Sequence, residues 1–186
     1  GKILKLDENG KASKDNPFYG KKNTKWEIWS FGHRNPQGLF YNIQTKQLWS
    51  VEHGPKGGDE LNLIIRGQNY GWPISTSGKN YDGTNIAKMN TTEKLAPPIY
   101  EYTPSIAPSS VIIYSAKAYK ELTGKILISA LAGKQISILS IVGIKVIAEE
   151  NILLNLNERI RSLLQTINGE ILFTTDSGKI YKILLD

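Results

Sequence analysis

The chain has 186 residues and no cysteine, with 40% hydrophobic and 22% charged residues. That balance suits an ordinary globular core and excludes a collagen, a coiled coil, a disordered chain and all thiolate or disulfide chemistry. The formal net charge is +6, but the lysines are scattered and only Lys21 and Lys22 are adjacent, so the clustered face that nucleic acid needs is not expected.

Short β-branched and aromatic runs separated by Gly, Asn, Asp and Pro predict β-strands joined by tight turns. In chain order these runs cover residues 1–7, 47–51, 59–64, 124–129, 133–139, 169–175 and 178–183. Residues 64–110 are rich in Gly, Tyr, Asn, Pro and Ser, and a stretch of that length in a compact domain is usually functional or mobile. Residues 116–122 support one turn of helix at most. The most hydrophobic stretch, 136–147, is interrupted by Ser137, Ser140, Gly143 and Lys145, so no run reaches the roughly 20 apolar residues that cross a bilayer.

One pattern repeats. Gly1-Lys2-Ile3-Leu4-Lys5-Leu6 returns as Gly178-Lys179-Ile180-Tyr181-Lys182-Ile183 and, more loosely, as Gly133-Lys134-Gln135-Ile136-Ser137-Ile138-Leu139. The copies start 132 and 45 residues apart, close to the period of a four-stranded propeller blade. The expected fold is therefore all-β, a β-propeller to which residues 1–186 supply a single domain of about three four-stranded blades and a leading strand. A closed ring needs more blades. Either the chain is the C-terminal part of a larger propeller, which its abrupt start inside a strand favours, or copies of it assemble into a homo-oligomeric ring.

Four segments carry chemistry. Arg34 and Asn35 precede Pro36, which biases Asn35 toward an extended conformation and presents a fork of donors beside an amide; the alternative is an arginine that ties blades together through carbonyls. Gly54 and Pro55 form a turn whose carbonyls can project outward, as a hairpin or as oxygen ligands. Asp59 and Glu60 are adjacent on a strand and so point to opposite faces. Arg159 and Arg161 flank Ile160, which puts both guanidinium groups on one face, where they repel unless an anion lies between them; Glu158 and Asp176 are candidates for that anion.

Gly32-His33-Arg34-Asn35-Pro36-Gln37-Gly38, Glu52-His53-Gly54-Pro55, Gly58-Asp59-Glu60-Leu61 and Asn69-Tyr70-Gly71-Trp72-Pro73 together resemble the soluble pyrroloquinoline-quinone (PQQ) dependent glucose and aldose dehydrogenases, which are six-bladed β-propellers. The resemblance runs from the N-terminal strand to Ser110, resumes at 158–161 and 175–178, and covers about the C-terminal half of that family's length. It implies that Arg34 and Asn35 contact the reactive end of PQQ as catalytic groups, with His53 beside them, and that Arg159 and Arg161 hold the cofactor's carboxylates. It implies calcium ligands at Gly54 and Pro55, a second calcium near Glu60 and the backbone of Tyr70, and a sugar cleft bordered by Tyr100 and Thr103. The expected reaction is oxidation of an aldose to its lactone by hydride transfer to the quinone, in a periplasmic or secreted protein.

Three positions depart from the family pattern. His53 stands in place of a glutamine, Thr103 in place of a tryptophan, and Ala132 in place of a lysine for which Lys134 is the nearest substitute. Neither His33 nor His53 falls at the family's base position, so that base is expected in a missing N-terminal half, and this chain alone is expected to be inactive. The alternative expectation is a non-catalytic propeller that binds a protein or glycan through its loops.

Overall fold

The structure is a computed structural model that describes residues 1–86 and 91–184. Thirteen strands form four antiparallel sheets among these residues. A two-stranded sheet pairs β1 (Lys2–Leu4) with β2 (Ile28–Phe31). The next runs in chain order through β3 (Pro36–Asn42), β4 (Gln47–Glu52), β5 (Asp59–Ile64) and β6 (Tyr100–Tyr102). It is followed by a four-stranded sheet of β7 (Pro108–Ile113), β8 (Ile126–Ala130), β9 (Ile136–Val142) and β10 (Lys145–Ile152), and by a three-stranded one of β11 (Ile160–Gln165), β12 (Ile171–Thr175) and β13 (Ile180–Lys182).

The first strands of the last three sheets lie side by side, β3 against β7 and β7 against β11. They form the inner layer of a radial array, and the later strands of each sheet step outward. The middle sheet is covered on both sides, which explains the unbroken apolar run Ile126-Leu127-Ile128. Side-chain alternation divides it: Val111, Ile113, Ile126, Ile128 and Leu139 pack with Trp49, Val51 and Leu61 of the preceding sheet. Ile112, Leu127, Ile136 and Ile138 pack with Ile160, Leu163, Ile171 and Phe173 of the following one. Each such side chain taken from water contributes about 1.5–3 kcal/mol, so inter-sheet packing holds the array together. A one-residue slip of β8 would exchange its two faces.

The expected three blades and leading strand are present, with one blade short of a strand. Two sheets are complete at four strands, one has three, and the leading strand is paired with β2 in a sheet of two. The repeated motif marks single strands, and strand motifs alone do not report how many partners each strand finds. The helical turn contracts to a 3-10 turn at Lys120–Leu122, and the long 64–110 stretch contains β6 and isolated bridges joining Lys56 to Lys79 and Lys79 to Asn85. No helix among the described residues is long and apolar enough to cross a membrane.

Candidate functional site

Arg34 and Asn35 occupy the turn between β2 and β3, outside any ladder. Gly32 shapes that turn at φ 76°, where a Cβ would lie 2.0 Å from Asn69 Oδ1 and 2.7 Å from the backbone nitrogens of Tyr70 and Gly71. Only glycine fits the close approach of the two loops. Beyond it, Arg34 Nη1 donates to the carbonyl oxygens of His53 (3.1 Å) and Gly54 (2.8 Å), and Nη2 donates to the Tyr81 hydroxyl (3.3 Å). The guanidinium also lies 5.4 Å from the Trp72 ring centroid, a cation–π contact. Asn35 is exposed and its Oδ1 accepts from Gln37 Nε2 (2.9 Å), which leaves its amide N–H₂ as a donor at the surface.

The 53–59 turn is tied down on three sides. His53 N donates to Asn35 O (3.1 Å), and His53 Nε2 lies 2.9 Å from Pro108 O. A carbonyl can only accept, so Nε2 carries the proton. Buried Asp59 accepts from Gly54 N (2.8 Å), Ala107 N (2.8 Å) and Ser105 Oγ (3.0 Å). Gly54 again tolerates no side chain, since a Cβ would come 2.2 Å from Gly57 O. Pro55 is half-buried in the same turn, and Thr103 Oγ1 accepts from Gly58 N (3.2 Å) at its outer edge.

Glu60 points away from Asp59, as alternation predicts. Its Oε2 accepts from Asn62 Nδ2 (2.9 Å). Burial, and then the negative charges of Glu52, Glu101 and Asp59, push its carboxyl up to about 7 despite that hydrogen bond. A cavity of about 10 Å³, the size of one water, is lined by Glu52, Glu60, Tyr70, Arg34, His53 and Gly54. Tyr70 stacks on His33 with centroids 4.4 Å apart and donates its hydroxyl to Leu63 O (2.5 Å), and burial raises that hydroxyl's pKa. No cluster of three His, Cys, Asp or Glu in metal-holding geometry occurs among the described residues.

Arg159 and Arg161 stand at the start of β11 with Ile160 buried between them. Both reach Asp176: Arg159 Nε to Oδ2 (2.9 Å), Arg161 Nε to Oδ1 (2.9 Å) and Arg161 Nη2 to Oδ2 (3.2 Å). Arg161 and then Arg159 hold the Asp176 carboxyl below its usual range. Glu158 pairs instead with Lys179 Nζ (2.6 Å), and Lys134 Nζ donates to Asn157 Oδ1 (2.6 Å). Two guanidinium groups share one carboxylate and stay half-exposed, so they retain net positive charge and free donors.

Arg34 and Asn35 immediately precede β3, Pro108 opens β7 and Arg159 immediately precedes β11, so all three points share one end of the inner layer. Hydrogen bonds link them in sequence, from His53 to Pro108 O and from Ser109 Oγ to Ile160 O (2.7 Å). Tyr100 lies elsewhere, half-buried in β6, and donates to Glu149 Oε2 of β10 (2.6 Å), which drives its hydroxyl up to about 12. Reasoning from the sequence quoted Glu52 and Trp72 only within family-like segments and gave them no role, and it missed Tyr81. Glu52 could have been noticed as a charged residue closing the otherwise buried Trp49-Ser50-Val51 strand; Tyr81 carries no local signal.

The family model for Glucose / Sorbosone dehydrogenase matches residues 1–182. Aldose sugar dehydrogenase YliI of Escherichia coli is 37% identical over 187 residues, which cover 98% of this chain and 50% of that protein. Quinoprotein glucose dehydrogenase B of Acinetobacter calcoaceticus is 45% identical over 90 residues, 48% of this chain and 18% of its own length. A glucose dehydrogenase crystal structure superposes on the whole chain with a TM-score of 0.95 at 37% identity and is 55% covered. The PQQ-bound aldose sugar dehydrogenase of Streptomyces coelicolor gives 0.69 at 26% identity over 93% of this chain and 45% of its own. The chain thus spans about half the length of the curated relatives it matches over most of its own residues. The array of sheets is a β-propeller arc, and the chain belongs to the glucose/sorbosone dehydrogenase family.

Proposed function

We propose that this chain is the C-terminal, cofactor-binding half of a periplasmic or secreted PQQ-dependent aldose dehydrogenase, and that residues 1–186 act as one domain of its six-bladed ring. The observation that carries the reading is the convergence of Arg34, Asn35 and the Arg159–Arg161 pair at one end of the inner strands. Half-exposed cations and a free amide around a common rim suit a flat guest bearing several carboxylates. The 10 Å³ cavity admits no ring system, so such a guest would lie across the open rim.

The donor set fits both groups. Arg159 and Arg161 would hold carboxylates, with Asp176 setting their orientation. Arg34 and Asn35 would offer fixed donors to oxygens on which negative charge develops, and His53 fixes the turn beside them. Each carbonyl oxygen keeps a second lone pair, so Gly54 can serve a cation while it accepts from Arg34, with Pro55 beside it. The acidic surroundings that raise Glu60 are those a calcium ion relieves, and oxygen ligands of this kind suit calcium. Bound PQQ would supply hydride acceptance, and these residues hold and polarise it. The substrate's proton would leave to a base on the upstream half, and the aldose would emerge as a lactone. Thr103, exposed at the edge of the 53–59 turn, would border the sugar; Tyr100, committed to Glu149, would act at most through the outer rim.

Strand counting supports an upstream half over a second copy. One terminal sheet lacks one strand and the other lacks two, whereas two copies would bring two strands against three and overfill a four-stranded blade. The two-stranded side opens onto an apolar groove of about 720 Å³ lined by Leu4, Trp29, Leu39, Tyr41, Leu48 and Leu63, suited to further strands. On the other side, Ile180 is 76% exposed on the free edge strand β13.

The test is reconstitution of the full-length protein with PQQ and calcium. Quinone absorbance bound to the protein and aldose-dependent dye reduction are expected. Full-length protein that folds and binds no PQQ overturns the reading and leaves a propeller that binds glycan or protein.

A further inference from the structure

A second polar cluster lies beneath Arg34 and enters that reading only through the charge of Glu52 felt by Glu60. Ser30, His33 and Asn62 are 0% exposed and Glu52 is 2% exposed. Glu52 Oε2 accepts from the backbone N–H of Arg34 (2.7 Å) and of Asn35 (3.3 Å). Its Oε1 accepts from His33 Nδ1 (2.8 Å) and Asn62 Nδ2 (2.9 Å). Since Nδ1 donates, His33 Nε2 is left to accept from the Ser30 hydroxyl (2.8 Å) in the neutral ring. The order serine, histidine, carboxylate matches that of a hydrolytic triad, but Ser30 is sealed under the sheet and reaches no substrate. The cluster works inward from the site.

Its geometry has one output. The amides of Arg34 and Asn35 lie outside every ladder, the next residue is a proline without an N–H, and Glu52 is the only acceptor either amide finds among the described residues. The Asn35 side chain is exposed, and nothing else holds its backbone at that point except the bond from His53 N to its carbonyl. We propose that Glu52 is a positioning residue: its buried carboxyl clamps the Arg34–Asn35 backbone so that guanidinium and amide are presented together at the rim, while His33, stacked on Tyr70 and bonded to Ser30, locks the carboxyl's rotamer. The consequence for catalysis rests on the proposed dehydrogenase reading; the clamp itself does not.

The test uses full-length protein with ¹⁵N-labelled arginine, the Arg34 amide being identified by its disappearance in Arg34→Lys. In Glu52→Gln one oxygen becomes an N–H₂ group that faces donors, so the Arg34 amide proton should move upfield while the Arg159 and Arg161 amides stay in place. In the same variant kcat for an aldose should fall about 10²-fold with KM unchanged, because misplacement by about 1 Å penalises the transition state. A role in stability alone would lower Tm and leave the Arg34 signal where it was. If Glu52→Gln does not fold, hydrogen exchange in the unaltered protein decides: a protected Arg34 amide supports the clamp and a freely exchanging one overturns it. An unmoved Arg34 signal in folded Glu52→Gln also overturns it, and a moved signal with unchanged kcat overturns its catalytic consequence. Inactivity of the unaltered protein defeats the dehydrogenase reading and leaves the amide result intact.

Discussion

The two arginine sites at the rim are built in opposite ways. Arg34 rests on a fully buried base: its backbone is held by Glu52, its guanidinium by two carbonyls and an aromatic face. Arg159 and Arg161 are held by one surface carboxylate and remain half-exposed. Buried donors left without a partner cost far more than an exposed ion pair contributes. The first site therefore couples position to folding, and the second can adjust to a guest without consequence for the core.

Alanine substitutions should break that contrast most visibly at Glu52. Glu52→Ala strands four N–H donors under the sheet, and loss of about 3–5 kcal/mol is expected in denaturant unfolding. Gly32→Ala comes next, at about 2–3 kcal/mol, because a Cβ at φ 76° meets Asn69 and the 70–71 backbone. Unfolding should also show the Arg34–Asn35 turn displaced, through loss of the Arg34 amide protection.

A pH titration sharpens the comparison from the acidic side of the cavity. The folded state raises Glu60 from its ordinary 4.5 to about 7, so it favours the protonated form. That contribution is complete below pH 4.5 and is lost as pH rises toward 7, with a slope bounded by about 1.4 kcal/mol per pH unit. Calcium-free protein should thus lose stability over this window, and Glu60→Gln should flatten the loss. Tyr102→Phe deletes a buried hydroxyl bonded to Ser137 Oγ (3.0 Å) and should cost about 1 kcal/mol. The smallest effect falls at the second arginine site, where Asp176→Asn should leave Tm unchanged. The same variant should change PQQ affinity, measured by quinone absorbance, because it frees both guanidinium groups.

Legibility followed the range of the interactions. The alternation around Ile160 put both arginines on one face, and the Asp59–Glu60 pair split as the pleat requires, since period-two geometry is local. The strands at 47–51 and 59–64 lie within those observed for the same reason, while that at 124–129 begins two residues late, at Ile126, after a turn at Gly124. The incomplete sheets were not legible, because the number of partners a strand finds depends on chain far away. Nor was Glu52, whose four donors come from residues 10 to 19 positions distant.

By itself the amino-acid order determined the all-β character, the twofold alternation and the turn at Gly54 and Pro55, because these arise from backbone sterics and neighbouring side chains. Only the tertiary structure decided that the starts of β3, β7 and β11 share one rim, that Asp176 and not Glu158 bridges the arginines, and that Glu52 underlies Arg34. Those outcomes depend on which sheets stack and on which buried donors then need an acceptor, and both are settled by packing between residues remote in the chain.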